Sequence, residues 1–139
     1  MSKKYWPKWP SYGKKEAKVV NEVIKSNQIF AKNQVLKLEK EFSKYLEVKY
    51  SKCVGNATQG LHLALAALNV GAGDEVIVTN FSWISTASCI LMQNAVPIFC
   101  DIEKKSLGID PIQIEKKITK RTKAILIVHF AGLPCDMKQ

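Results

Sequence analysis

The sequence predicts an α/β fold built on a mostly parallel sheet with flanking helices. Three observations carry that reading. Short apolar runs recur at Glu75–Thr79, Val96–Cys100 and Lys123–Val128; the stretches between them show helical spacing; and Gly, Pro, Asn or Asp punctuate the junctions. Strands that alternate with helices are joined by crossovers, and crossovers within one sheet make its strands parallel. Three short strands are too few for a finished doubly wound sheet. The alternation is still running at Gln139, so the chain is expected to be an amino-terminal part of a larger fold.

The elements follow in order. Residues 1–12 read as an extended arm, because Pro7 and Pro10 block helix and sheet. Its aromatics Tyr5, Trp6, Trp9 and Tyr12 suggest that the arm packs on the body or on a second subunit. Residues 13–139 are expected to form a single incomplete domain. A helix over Lys14–Ser26 places Ala17, Val20, Val23 and Ile24 on one face, and a second over Gln34–Leu46 does so with Val35, Leu38, Phe42 and Leu46. The loop between them holds Ile29 and Phe30. Lys52–Gly55 reads as a brief extended segment. A helix over Thr58–Leu68 carries Leu61, Ala64, Leu65 and Leu68 on one face and is expected to end at Gly71-Ala72-Gly73-Asp74. The strand Glu75–Thr79 follows, then a helix over Ser82–Gln93 and the strand Val96–Cys100. Asp110 before Pro111 is a cap ahead of proline at the first helical position, opening a helix to about Ile118. The strand Lys123–Val128 comes last.

With 139 residues, 47% hydrophobic and 24% charged, the chain is long enough for one packed domain, and no low-complexity tract interrupts it. The net charge of +9 would suit nucleic acid, an anionic membrane or an acidic metabolite. The lysines fall along the chain in pairs such as Lys14-Lys15 and Lys116-Lys117, with no nucleic-acid motif beside them, so they read as solvated faces. Cys53, Cys89, Cys100 and Cys135 form no C-x-x-C pair, which argues against a zinc or redox motif and for a reduced, cytoplasmic setting. Cys89 and Cys100 sit in apolar runs and read as small buried hydrophobes. The polar, proline-containing start does not read as a signal peptide. Val76–Cys100 is uncharged, but Thr79, Asn80, Ser82, Ser85, Gln93 and Pro97 exclude it as a membrane span.

Ligands of open α/β sheets lie at strand carboxyl ends and helix amino termini. Gly55-Asn56-Ala57-Thr58-Gln59-Gly60 leads into a helix there. A phosphate would meet the free N–H groups and the Thr58 hydroxyl, although a plain cap by Asn56 or Thr58 explains the same residues. Asn80-Phe81-Ser82-Trp83 follows a strand, where Trp83 could stack on a flat ring or pack in the core. His129 follows the last strand and reads either as a structural histidine or as part of a pocket wall. Asp101 reads as a turn or cap residue. A phosphorylated planar cofactor suits this set, and a flavin or nucleotide would suit it too.

The stretch VGNATQGLHLALAALNVGAGDEVIVTNFSWISTASCILMQNAVPIFCDI, with IDPIQIEKKITKRTKAILIVHFAGLPCDM and the opening WPKWPSYGKKEAKVVNEVIKSN, resembles the DegT/DnrJ/EryC1/StrS sugar aminotransferases. The resemblance implies the aspartate-aminotransferase-like architecture called fold type I, with pyridoxal 5'-phosphate as cofactor. It implies a cytoplasmic homodimer that moves an amino group, commonly from glutamate, onto a nucleotide-linked keto sugar for surface polysaccharide or glycan synthesis. Ala57 and Thr58 match the residues that hold the cofactor phosphate, and Trp83 matches the aromatic that stacks on its ring. His129 matches a position near the site's mouth with no assigned step. The family's Schiff-base lysine falls after Gln139, so no catalytic residue is expected in this chain, and a truncated, inactive fragment is the expectation. Two alternatives stand beside it: a sugar dehydratase of the same family, or a basic binding module without enzymatic activity.

Overall fold

The computed structural model describes residues 9–27 and 33–139. The chain divides into two units, Met1–Cys53 and Val54–Gln139.

The first unit holds α1 (Lys14–Lys25) and α2 (Asn33–Tyr45). The start of α1 is closed by Glu16, whose carboxylate accepts the Gly13 N–H at 2.7 Å. Ion pairs one turn apart, Lys18–Glu22 and Lys37–Glu41, lie along the helix surfaces. After α2 the chain turns at Glu47, which takes a left-handed φ of 55° while the Val48 N–H reaches back to the Ser43 carbonyl. Residues 52–55, expected to be extended, form no strand. Within the first unit Glu39 fixes their start: it accepts the Cys53 N–H at 3.0 Å and the Lys52 ammonium at 2.8 Å. These two contacts, the lysine's first, hold its carboxyl below the usual carboxylate range. Of the expected arm and loop aromatics, Tyr5, Trp6 and Phe30 lie outside the described residues, as does Ile29, whereas Trp9 and Tyr12 are exposed.

The second unit is a three-layer sandwich. Its sheet contains β1 (Glu75–Thr79), β2 (Val96–Cys100) and β3 (Thr122–Leu126) in the order β2-β1-β3, all parallel. Ile77 pairs with Ile98 on one side and Ile125 on the other. As the central strand, β1 is buried along its whole length, as expected for a parallel strand covered on both faces. Val76 and Val78 point into one core with Leu65 of α3 (Ala57–Ala67) and Cys89 and Ile90 of α4 (Ser85–Met92). Ile77 points the other way, into a core with Cys100 and Ile109 against which Ile114 of α5 (Pro111–Lys117) packs. Burial pushes the thiols of Cys89 and Cys100 above their ordinary range, so both behave as the small hydrophobes the sequence suggested.

Several expected boundaries move. α3 ends before the glycines: Asn69 takes the left-handed conformation at φ 54°, and the Val70 N–H reaches back to the Leu65 carbonyl. α4 ends the same way at Asn94, with the Ala95 N–H on the Ile90 carbonyl. α4 also begins at Ser85 instead of Ser82, because Ser82, Trp83 and Ile84 form the turn that launches it; the Trp83 carbonyl accepts the Thr86 N–H at 3.0 Å. β3 runs Thr122–Leu126, ending earlier than expected where its pairing with Val78 stops. The uncharged stretch Val76–Cys100 is β1, α4 and β2, and no described helix is long and apolar enough to cross a membrane.

The base of the sheet is tied by Glu75. Its buried carboxylate accepts the Thr119 hydroxyl at 2.5 Å and the Arg121 guanidinium, and its N–H donates to the Arg121 carbonyl at 2.8 Å. The Thr119 hydroxyl and then the Arg121 contact hold this carboxyl below the ordinary value of 4.5.

Candidate functional site

The site's position follows from topology. The chain passes from β1 to β2 on one side and then returns to β3 on the other, so the carboxyl ends of β1 and β3 flank a switch point. Their following loops meet there: the rings of Phe81 and Phe130 lie 4.5 Å apart, tilted by 37°. At the β2 end, the Asn80 amide donates to Asp101 at 3.3 Å, and Asp101 also accepts the Ile102 N–H, which is the turn role expected of it.

α3 brings its amino terminus to this same edge. It precedes β1, shares a core with Val76 and Val78 through Leu61 and Leu65, and is joined to Glu75 by residues 68–74. Eleven helical residues rise about 16 Å, close to the span of a five-residue strand, so a helix running back along β1 would start near the strand's carboxyl end.

At that terminus Asn56 is the cap, with its side chain accepting the Gln59 N–H at 3.0 Å. The Gln59 side chain in turn accepts the Gly55 N–H at 2.9 Å. Of the two candidate caps, Asn56 is therefore the one used, and Thr58 is left out of the capping contacts. The N–H groups of Ala57 and Thr58 and the Thr58 hydroxyl make no hydrogen bond among the described residues. Helix-terminal N–H groups left free in this way, backed by the helix dipole, favour an anion.

Trp83 follows the carboxyl end of β1, is 78% exposed, and takes no part in the core of the described residues. The Trp83 carbonyl bond to Thr86 and the Ser82–Thr86 hydroxyl contact at 2.8 Å fix its backbone at the head of α4. His129 stands three residues past the end of β3, exposed, with its Nδ1 accepting the Cys135 N–H at 3.1 Å. Ala57, Thr58, Trp83 and His129 thus share the carboxyl edge of one sheet. The Phe81–Phe130 stack and the Cys135 contact were not foreseen. The first could have been found only once the order β2-β1-β3 was known, since it joins residues distant in sequence; the second spans six residues and depends on the left-handed turn at Ala131 and Gly132.

The pieces fit a phosphorylated planar ring: free donors for a phosphate at the start of α3, an open aromatic face at Trp83, and a polar wall at His129. Comparisons with known proteins point the same way. The DegT/DnrJ/EryC1/StrS aminotransferase family matches residues 10–139. The chain is 43% identical over 138 residues to GDP-perosamine synthase of Escherichia coli O157:H7, covering 98% of this chain and 38% of that protein. Its structure resembles that of an aminotransferase from Psychrobacter cryohalolentis, with TM-score 0.89 and 40% identity over 96% of this chain and 34% of the other. It also resembles a GDP-4-keto-6-deoxymannose-3-dehydratase solved with a trapped PLP-glutamate geminal diamine, with TM-score 0.84 and 28% identity over 92% of this chain and 35% of that one. The chain therefore spans about a third of the length of these relatives. Over that third it has the α/β architecture of fold type I, and it belongs to the DegT/DnrJ/EryC1/StrS aminotransferase family.

Proposed function

We propose that this chain supplies the phosphate-holding and ring-stacking part of a pyridoxal-phosphate-dependent aminotransferase. Its substrate is a nucleotide-linked keto sugar, its amino donor is glutamate, and its product feeds surface polysaccharide or glycan synthesis. In this reading residues 1–12 form an arm and 13–139 belong to the large domain of a cytoplasmic homodimer, with neither nucleic acid nor membrane as a partner. The observation that carries it is the pair of unbonded N–H groups at Ala57 and Thr58 on the sheet edge that also exposes Trp83.

The bound cofactor would supply an electron sink for the amino-group chemistry. The chain's own residues bind and orient it. Ala57 and Thr58 N–H groups, with the Thr58 hydroxyl, hold the phosphate in the field of the α3 terminus. The Trp83 face fixes the plane of the ring and shields it from water on that side. No residue of this chain is assigned a covalent step.

The test is binding of pyridoxamine phosphate, which has no aldehyde to react with surface lysines, followed by calorimetry. Thr58→Val removes a hydrogen bond to a charged group and is expected to weaken binding about tenfold. Equal affinity in wild type and variant would overturn the phosphate assignment. A sugar dehydratase is the second reading, favoured by the likeness to the dehydratase structure. It is separated by product: an amino sugar supports the first reading, a deoxygenated keto sugar the second.

A further inference from the structure

His129 is held at one ring nitrogen and open at the other. The Cys135 N–H donates to Nδ1 at 3.1 Å, while Nε2 makes no hydrogen bond among the described residues. A nitrogen that accepts carries no hydrogen, so the neutral ring must carry its hydrogen on Nε2. Several features place Cys135 where it can do this. Ala131 and Gly132 both take left-handed conformations, with φ of 50° and 83°, and turn the chain back on itself. The Cys135 thiol donates to the Val128 carbonyl at 3.2 Å. On the far side a Cβ at residue 108 would overlap that thiol, so Gly108 is what admits it. The loop carrying Gly108 is itself pinned, with Glu103 accepting the N–H groups of Lys105 and Ser106.

We propose that His129 is a ligand-binding residue: a neutral imidazole locked as the Nε2–H tautomer, donating to an oxyanion of the molecule bound at the carboxyl edge, with Cys135 and Gly108 as positioning residues. The proposal rests on the aminotransferase reading for the identity of that molecule. The oxyanion belongs either to the pyridine-ring cofactor or to the carboxylate of the amino-acid donor. Both present the same chemistry to Nε2. A neutral donor directs the anion without adding a charge.

A purely structural latch would need only Nδ1, and that difference makes the proposal testable. The chain contains two histidines, so ring-nitrogen NMR of histidine-labelled protein resolves His129 from His62 once His129→Gln assigns the signals. In the unliganded chain the neutral Nε2–H pattern is expected, and a neutral Nδ1–H pattern would overturn the proposal. Gly108→Ala should displace Cys135 and give a mixture of tautomers; an unchanged pattern would show that Gly108 and Cys135 do not position the ring. Pyridoxamine phosphate and L-glutamate are then titrated separately. A shift of Nε2 with the first identifies a cofactor oxyanion, and a shift that requires the second identifies the donor carboxylate. No shift with either, alone or together, overturns the proposal.

Two variants separate the nitrogens. His129→Asn retains an acceptor for the Cys135 N–H but stops short of the Nε2 position, and is expected to weaken the responding ligand roughly tenfold. His129→Gln places an amide N–H near the Nε2 position and is expected to stay within about threefold of wild type. The reverse order would show a latch and nothing more. The tautomer measurement needs no ligand, so it stands even where Thr58→Val refutes the phosphate reading.

Discussion

The two units divide charge and burial unequally. Met1–Cys53 carries thirteen lysines against five glutamates, whereas Val54–Gln139 carries eight lysines and arginines against seven aspartates and glutamates. Nearly all of the net charge of +9 therefore lies in the first unit. α1 and α2 bury no residue, yet Val20, Ile24, Leu38 and Phe42 recur on them at helical spacing. In the second unit β1 alone buries five consecutive residues. Pairwise spacing of lysines along the sequence concealed this asymmetry, because it appears only when the chain is cut where its packing divides. The lesson is that helical periodicity marks a face capable of burial, while burial itself requires a partner surface.

The largest effect should come from a matched pair of truncations. Ile77→Ala removes a fully buried side chain between two layers and should cost about 2–5 kcal/mol in chemical denaturation. Val20→Ala, at a residue 56% exposed, should stay within about 0.5 kcal/mol. A comparable loss at Val20 would show that the α1 face is covered in solution and would break the contrast. Next comes Gly108→Ala, which forces a Cβ into the Cys135 thiol and should cost about 1–3 kcal/mol, read as a lowered Tm.

The smallest effect concerns acid. Glu75 titrates below 4.5 in the folded chain, because the Thr119 hydroxyl and Arg121 favour its charged form. The stability this adds is complete above the unfolded value and is lost as pH falls through the lower folded one. Wild type should therefore lose Tm more steeply than Glu75→Gln below about pH 4.5. Glu39, whose lysine partner in the first unit is largely exposed, should show a weaker version of the same difference in Glu39→Gln. Parallel acid profiles for wild type and Glu75→Gln would remove the tie from the account of the second unit.

Much of the second unit was legible in the sequence because its signals are local. The apolar run Glu75–Thr79 and the pair Asp110-Pro111 fix a strand and a helix start without reference to anything distant. The ends of α3 and α4 fall within one residue of expectation, but the left-handed position after each is taken by an asparagine, Asn69 and Asn94, and after α3 not by the glycines expected to end it. The candidate residues Thr58 and Trp83 were legible as types at strand and helix ends. What held them was not. Whether Asn56 or Thr58 caps α3, and whether Trp83 is inside or out, depends on packing that no spacing rule encodes. The Cys135–His129 contact depends on two consecutive left-handed residues, one of them an alanine, which sequence gives no reason to expect.

The order β2-β1-β3 also sets a sequence of events. β1, α4 and β2 are neighbours along the chain and can meet through short loops, but β3 must travel past them to reach the free side of β1. Long closures of this kind delay pairing during folding. The Phe81–Phe130 contact and the His129 ring can take their places only after that last strand has docked. During synthesis the start of α3 would thus be formed well before His129 and Phe130 reach their places, and the carboxyl edge would be complete only when the sheet closes.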